Sequence, residues 1–346
     1  MSVQCTINTP HAVSAVTFSS SGSLWVGSDD GTLRLYELPA PKVVRAIKSL
    51  GSEIASIATL RSKDPQAGGL WIASGCRAFS FPAHSDKMIS TDADARTTVQ
   101  LGEDDEDALN ELSISENGRY LAFSTDGGSA GVVEFSTQAV TRMKTRHSSI
   151  CGAVKFIPDR PSELVSAGYD SALLHHDFPQ GTLLSRFDIT SAPPSSGVSL
   201  SPPFVLSTAV SSTGLVAAST ADGRVWIGAG GEKRPSPVSG AKQKRSRKWD
   251  GLQENEGLWL QVAEGPVVAV VFRGTETLIT CTLLGKLARY TISHNAEGAL
   301  QAEPNWTGET NHLAKVNAVA LNDPFLCVAG LDSAGKGIIE VWGLDE

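Results

Sequence analysis

The stretch VSAVTFSSSGSLWVGSDDGTLRLYEL, residues 13–38, sets a pattern that recurs along the chain. An alternating segment runs into a Ser/Gly turn, an apolar run follows, then Asp-Asp-Gly, then a second alternating segment. Gly and Asp tolerate the positive φ of tight hairpin turns, so the unit reads as three short antiparallel strands. Copies of it can be set at 54–81, 109–136, 151–178, 206–228, 267–292 and 316–342. Their first-strand anchors, Val16, Ile57, Leu112, Val154, Thr208, Val270 and Val319, stand 41, 55, 42, 54, 62 and 49 residues apart.

A small twisted sheet cannot bury its own faces, and repeats of this length with three or four strands stack radially as blades. The spacing therefore predicts an all-β, seven-bladed β-propeller occupying residues 1–346 as a single domain. The longer spacings are assigned to loops between blades at 84–105, 188–203 and 229–263. The alternating run SVQCTI, residues 2–7, is expected to supply the outermost strand of the seventh blade, closing the ring and removing an open edge.

Composition narrows the function. The 346 residues carry a net charge of −8 and a pI near 5.4, which disfavours direct nucleic-acid binding and attraction to anionic membrane. No apolar run is long enough to predict a membrane span. MSVQCTINTPH lacks the pattern of a secretory signal, which points to an intracellular protein and makes the sequon at Asn305-Trp306-Thr307 a chance match. The five cysteines are scattered without a C-x-x-C pair, and read as buried free thiols.

Four motifs invite chemistry. Gly330 to Gly337 comes close to a phosphate-binding loop, with glycine where its metal-binding hydroxyl belongs. The residues after Gly337 are Ile338-Ile339-Glu340-Val341-Trp342, which predict a strand where that loop needs a helix. His175-His176-Asp177 suggests a metal cluster, but neighbours in a strand point to opposite faces. The acidic run Glu103 to Asp107 lacks the spaced oxygens and glycine of a cation loop, and reads as a solvated loop or a contact for a basic partner. Seven Lys and Arg fall between 233 and 248, within the segment 232–251, which reads as a disordered basic loop between the fifth and sixth blades. Lys233-Arg234, a ten-residue spacer, then Arg245, Arg247 and Lys248 fit a bipartite import signal recognised by importin. Ser236-Pro237 is a candidate phosphorylation site that would offset this charge.

SDDGTLRLYEL and SAGYDSALLHHDF resemble the second half of a WD repeat. The turn aspartates are Asp30 and Asp170, and the aromatic-acidic pairs six residues on are Tyr36-Glu37 and His176-Asp177. His11, His147 and His312 precede first strands, as that family's Gly-His does, and Asp332 aligns as a further turn aspartate. The resemblance implies that His147, Ser166 and Asp170 form a structural network and not a catalytic triad.

It also implies a partner-binding face beside the first apolar position of each inner strand and before each turn aspartate. By position these residues are Asp29, Glu53, Asn110, Ile150, Tyr169, Phe204, Lys315 and Asn317. Ile150, Tyr169 and Phe204 belong to adjacent blades and could anchor a partner, or pack against the proline-rich loop 188–203. The family resemblance further implies a non-catalytic interaction scaffold, with a substrate receptor of a cullin-4 ubiquitin ligase as one specific form. Such receptors place an arginine two residues after Trp-Asp, and YELP, HDFP and WGLD offer none. The reading from sequence is a monomeric propeller working within a complex, nuclear or shuttling to the cytoplasm, with proteins or peptides as partners. No metal or cofactor is assigned. The alternative is a nucleotide-binding protein or enzyme using the Gly330–Gly337 loop.

Overall fold

A computed structural model describes residues 1–60, 68–190, 201–232 and 249–344, and in it the seven copies form seven antiparallel blades. The only helical pieces among the described residues are two single 3-10 turns, Asp92–Asp94 and Glu254–Glu256. The first strand of each copy is the inner strand of its blade: Val13–Phe18, Ile54–Leu60, Leu109–Ile114, Cys151–Phe156, Val205–Val210, Val267–Arg273 and Lys315–Asn322. These strands surround a central channel of about 610 Å³, and the seventh lies against the first.

Every inner strand carries one irregularity near its start, from Val13/Ala15 in blade one to Val316/Ala318 in blade seven. A bulge adds a residue to one strand of a pair, sharpens its twist and re-aims the extra side chain. Here the extra residues include Ser14, Asn110, Gly152 and Asn317, all lining the channel. Ser14 Oγ donates to the Ile54 carbonyl at 2.8 Å, Asn110 Nδ2 to Cys151 at 3.1 Å, and Asn317 Nδ2 to Val13 at 2.9 Å. Each acceptor is the first apolar residue of the next inner strand, so the bulges stitch neighbouring blades together.

Apolar packing follows the same plan. Seven clusters of buried side chains fill the seven junctions between blades, each drawing residues from both sides. The ring closes where Ser2–Thr9 pairs antiparallel with Gly337–Gly343, from Ser2 opposite Gly343 to Thr9 opposite Gly337. Ile7, 1% exposed, is buried in the cluster between blades seven and one. The N-terminal strand thus closes the propeller, as its alternation predicts.

Two of the segments read as loops between blades hold strands instead. Thr97–Gln100 is the outer strand of blade two, and Ile89–Thr91 runs parallel to Val43–Lys48 as a fifth strand of blade one. Gly257–Gln261 is the outer strand of blade five. The basic segment therefore joins the third and fourth strands of blade five and does not bridge blades five and six. Outer strands show one face to solvent, so their sequences are polar enough to read as loop.

The basic segment is anchored where it re-enters the described chain. Trp249 is 2% exposed, donates from Nε1 to the Gly214 carbonyl at 3.1 Å and sets its ring against His175. A Cβ on Gly231 or Gly251 would fall 1.9 or 2.0 Å from the indole, so only glycine fits at either position. The import residues Lys233, Arg234, Arg245, Arg247 and Lys248, and Ser236 with them, lie outside the described residues.

Candidate functional site

At one end of the ring, the chain entering each inner strand meets the turn between that blade's second and third strands. A backbone bond repeats there: Asp29 N–H to Ala12, Asp126 to Ala108, Tyr169 to Ile150, Ala221 to Phe204 and Leu283 to Pro266, at 2.9–3.1 Å. This end is the turn face, and all eight expected partner-binding residues lie on it or just inside the channel mouth. The repeated bond places Tyr169 beside Ile150. Phe204, from blade five, stacks on Tyr169 with ring centroids 5.7 Å apart and planes 13° apart. All three side chains are half-buried, forming an apolar platform at the junction of blades four and five.

Asn110 and Asn317 have a second duty, since their amides make the stitches between blades. Asn110 Nδ2 also donates to Asp126 Oδ1 at 3.0 Å. Asp29, Glu53 and Lys315 form an exposed charged group on blades one, two and seven. Partial burial, then the field of Asp29, push the Glu53 carboxyl above its ordinary range, with Lys315 opposing. His11 lies 3.8 Å from Asp29 and 3.7 Å from Asp30. Two carboxylates escaped the sequence reading. Asp126 stands in the turn of blade three at the position of Asp29 and Tyr169, and Glu111, at that blade's bulge, accepts the Val154 N–H at 2.7 Å and pairs with Lys155 in the channel wall.

Blade four carries a hydrogen-bond chain across its width. His147 Nδ1 lies 2.8 Å from Asp170 Oδ1, His147 Nε2 3.0 Å from Ser166 Oγ, and Ser166 Oγ 3.2 Å from His176 Nε2. Protons assigned along this chain run from His176 Nε2–H through the serine hydroxyl to His147, whose Nδ1–H meets the aspartate. Gly168 makes room for it, since a Cβ there would fall 2.4 Å from His147 Nδ1. Burial lowers the His147 pKa against the pull of Asp170. Burial, then the neighbouring His147 and His175, bring His176 down to about 3. Burial raises Asp170, but hydrogen bonds from His147 and from the Ser148 and Ala172 N–H groups outweigh it and hold the carboxylate ionised. The arrangement ties a turn to two strands deep in the blade, with His147 and Ser166 buried. His11 and His312, at the equivalent places in blades one and seven, are exposed.

The other motifs resolve into structure. Gly330–Gly337 is a hairpin in which Asp332 Oδ1 accepts the N–H groups of Ala334 and Lys336, and Gly337 starts a strand paired on both sides. No helix follows to gather N–H groups on a phosphate, and Lys336 is exposed. His175 turns to Glu163, with 2.9 Å from Nε2 to Oε2, while His176 turns to Ser166, so the two share no ion. In the acidic run, Glu103 to Glu106 are exposed. Asp107 instead is buried and accepts the N–H groups of Gly127 and Glu103 at 2.7 and 2.8 Å. All five cysteines are free, and burial pushes the Cys281 thiol up to about 12.

No protein-family model matches the chain. A curated WD repeat-containing protein 53 homolog from Dictyostelium discoideum is 24% identical to it, over a match covering 58% of this chain and 57% of that relative. The match thus covers less than two thirds of the relative's length. The chain is a seven-bladed β-propeller that resembles the WD-repeat type in this match and in its blade-four network.

Two buried histidines, His147 and His176, give stability a pH dependence. Both have native pKa values below the ordinary histidine value of about 6.5, so the unfolded chain takes up protons that the native state refuses. Stability should be fully present above that value and fall as the pH drops below it, by up to about 1.4 kcal/mol per pH unit for each histidine. Asp170 adds its own loss only at more acidic pH, as its lowered native pKa is approached. Urea unfolding at pH 7 and pH 5 should show a shallower fall in His176→Gln than in wild type. Equal slopes would contradict the assignment.

Proposed function

We propose that the chain is a non-catalytic platform that docks another protein or peptide on its turn face. The observation carrying this reading is the half-exposed Tyr169–Phe204 stack with Ile150 beside it, at the rim of the channel. Clustered aromatic groups that are neither fully buried nor scattered are the usual anchors of an interface, because they bury large area at small entropic cost. A cullin-4 receptor would be one specific form of such a platform, and the described third-strand ends offer no arginine in the adaptor-binding position. We further propose that Lys233, Arg234, Arg245, Arg247 and Lys248 bind importin and give the protein a nuclear or shuttling distribution. Both flanks of that segment, Glu232 and Trp249, lie at the end of blade five opposite the turn face, so the two contacts do not compete for one surface.

Affinity purification of the tagged full chain from cells tests the docking reading. Tyr169→Ala/Phe204→Ala, with its folding checked by thermal melting, should lose most partners recovered with wild type. Recovery of the same partners would overturn it. Replacing the seven basic residues of 233–248 with glutamine should shift the fluorescently tagged protein out of the nucleus, and an unchanged distribution would reject the import signal.

A further inference from the structure

The charges around the apolar platform specify what it would hold, an inference that rests on the docking reading above. A Cβ on Gly152 would fall 3.2 Å from the edge atom Cε1 of Tyr169, and the Tyr169 ring stacks on that of Phe204. Asp126, on the neighbouring turn of blade three, is close enough for its negative charge to add to burial in raising the Tyr169 hydroxyl pKa. Among the described residues the Asp126 carboxylate accepts one neutral hydrogen bond, from Asn110, whose amide also reaches the carbonyl of Cys151 between Ile150 and Gly152. No lysine, arginine or histidine among the described residues forms an ion pair with Asp126.

An occupant covering this platform must also cover the neighbouring carboxylate. A purely apolar group would desolvate Asp126 without replacing its water, and an acidic one would be repelled. A guanidinium or ammonium group satisfies both neighbours, because a cation is attracted to an aromatic ring and forms a charge-assisted hydrogen bond to a carboxylate.

We propose that the occupant of the turn face is a lysine- or arginine-bearing peptide segment, its cationic group seated by the Tyr169–Phe204 stack and against the Asp126 carboxylate. The aromatic platform supplies the apolar contact and the carboxylate selects the charge.

Fluorescence anisotropy with the full chain tests this at physiological salt. The probe is a labelled twelve-residue peptide of Arg, Lys, Gly and Ala, compared with a counterpart carrying Gln at every basic position. The basic peptide should bind at least about ten times more tightly than the glutamine one. Asp126→Asn and Tyr169→Ala should each weaken it at least about fivefold, in line with a desolvated cation–π or charge-assisted contact. Tyr169→Phe should retain most binding, and Glu297→Gln, exposed at the opposite end of blade six, should leave it unchanged. Equal weakening by Glu297→Gln and Asp126→Asn would reduce the effect to the overall negative field and overturn the proposal. If partners captured from cells depend on Tyr169 and Phe204 but the basic peptide neither binds nor competes, the face is right and the partner class is wrong. Capture that ignores both aromatic residues overturns the docking reading itself.

Discussion

Every large apolar cluster among the described residues lies between two blades, so no blade has a core of its own. A four-stranded sheet exposes two faces, and each is buried only by the next blade around the ring. Opening any one junction would uncover a face on both sides, which makes closure a condition for the whole fold. The N-terminal strand meets that condition by adding the outermost strand of blade seven, and the bulge donors Ser14, Asn110 and Asn317 reinforce three junctions at the channel. The turn face depends on this arrangement, because Tyr169 and Phe204 meet only when blades four and five pack.

The blades solve one local problem with different chemistry. Each must hold its turn between second and third strands against its other strands. Blade four uses the chain from His176 through Ser166 and His147 to Asp170. Blade one instead sends Arg34 to Ser28 Oγ at 3.0 Å, near Asp30. Blade five pairs Arg224 with Asp222 and lays the guanidinium over Trp259 at 4.4 Å from the ring centre. In blade seven the buried Glu340 accepts the N–H groups of Asn311 and His312. This variety leaves only a faint repeat signature in sequence although the architecture is regular.

Seven inner strands, their partners and ring closure were legible because half-buried strands alternate and Gly-Asp turns punctuate them. The outer strands Thr97–Gln100 and Gly257–Gln261 were not, since a strand with one wet face needs little apolar pattern. Trp249 was hidden for a different reason: a buried indole at the end of a basic, glycine-rich run carries no periodic signal. At the candidate site the repeat register placed Ile150, Tyr169 and Phe204 at one end of the ring, and only the fold shows two of them stacked. Asp126 and Glu111 escaped notice because a turn acid and a bulge acid look like ordinary solvated residues until their neighbours are known. The dual use of Asn110 and Asn317 is likewise a property of adjacent blades and not of any single repeat.

The account's central claim is that partners are read at the turn face. Hydrogen–deuterium exchange on the full chain, alone and saturated with a partner recovered from cells, tests this most directly. The account predicts new protection in the turns at 126–129 and 169–171 and in 201–205, with the turns at the opposite end of the ring unchanged. Protection confined to that opposite end, or to the outer strands, would contradict it.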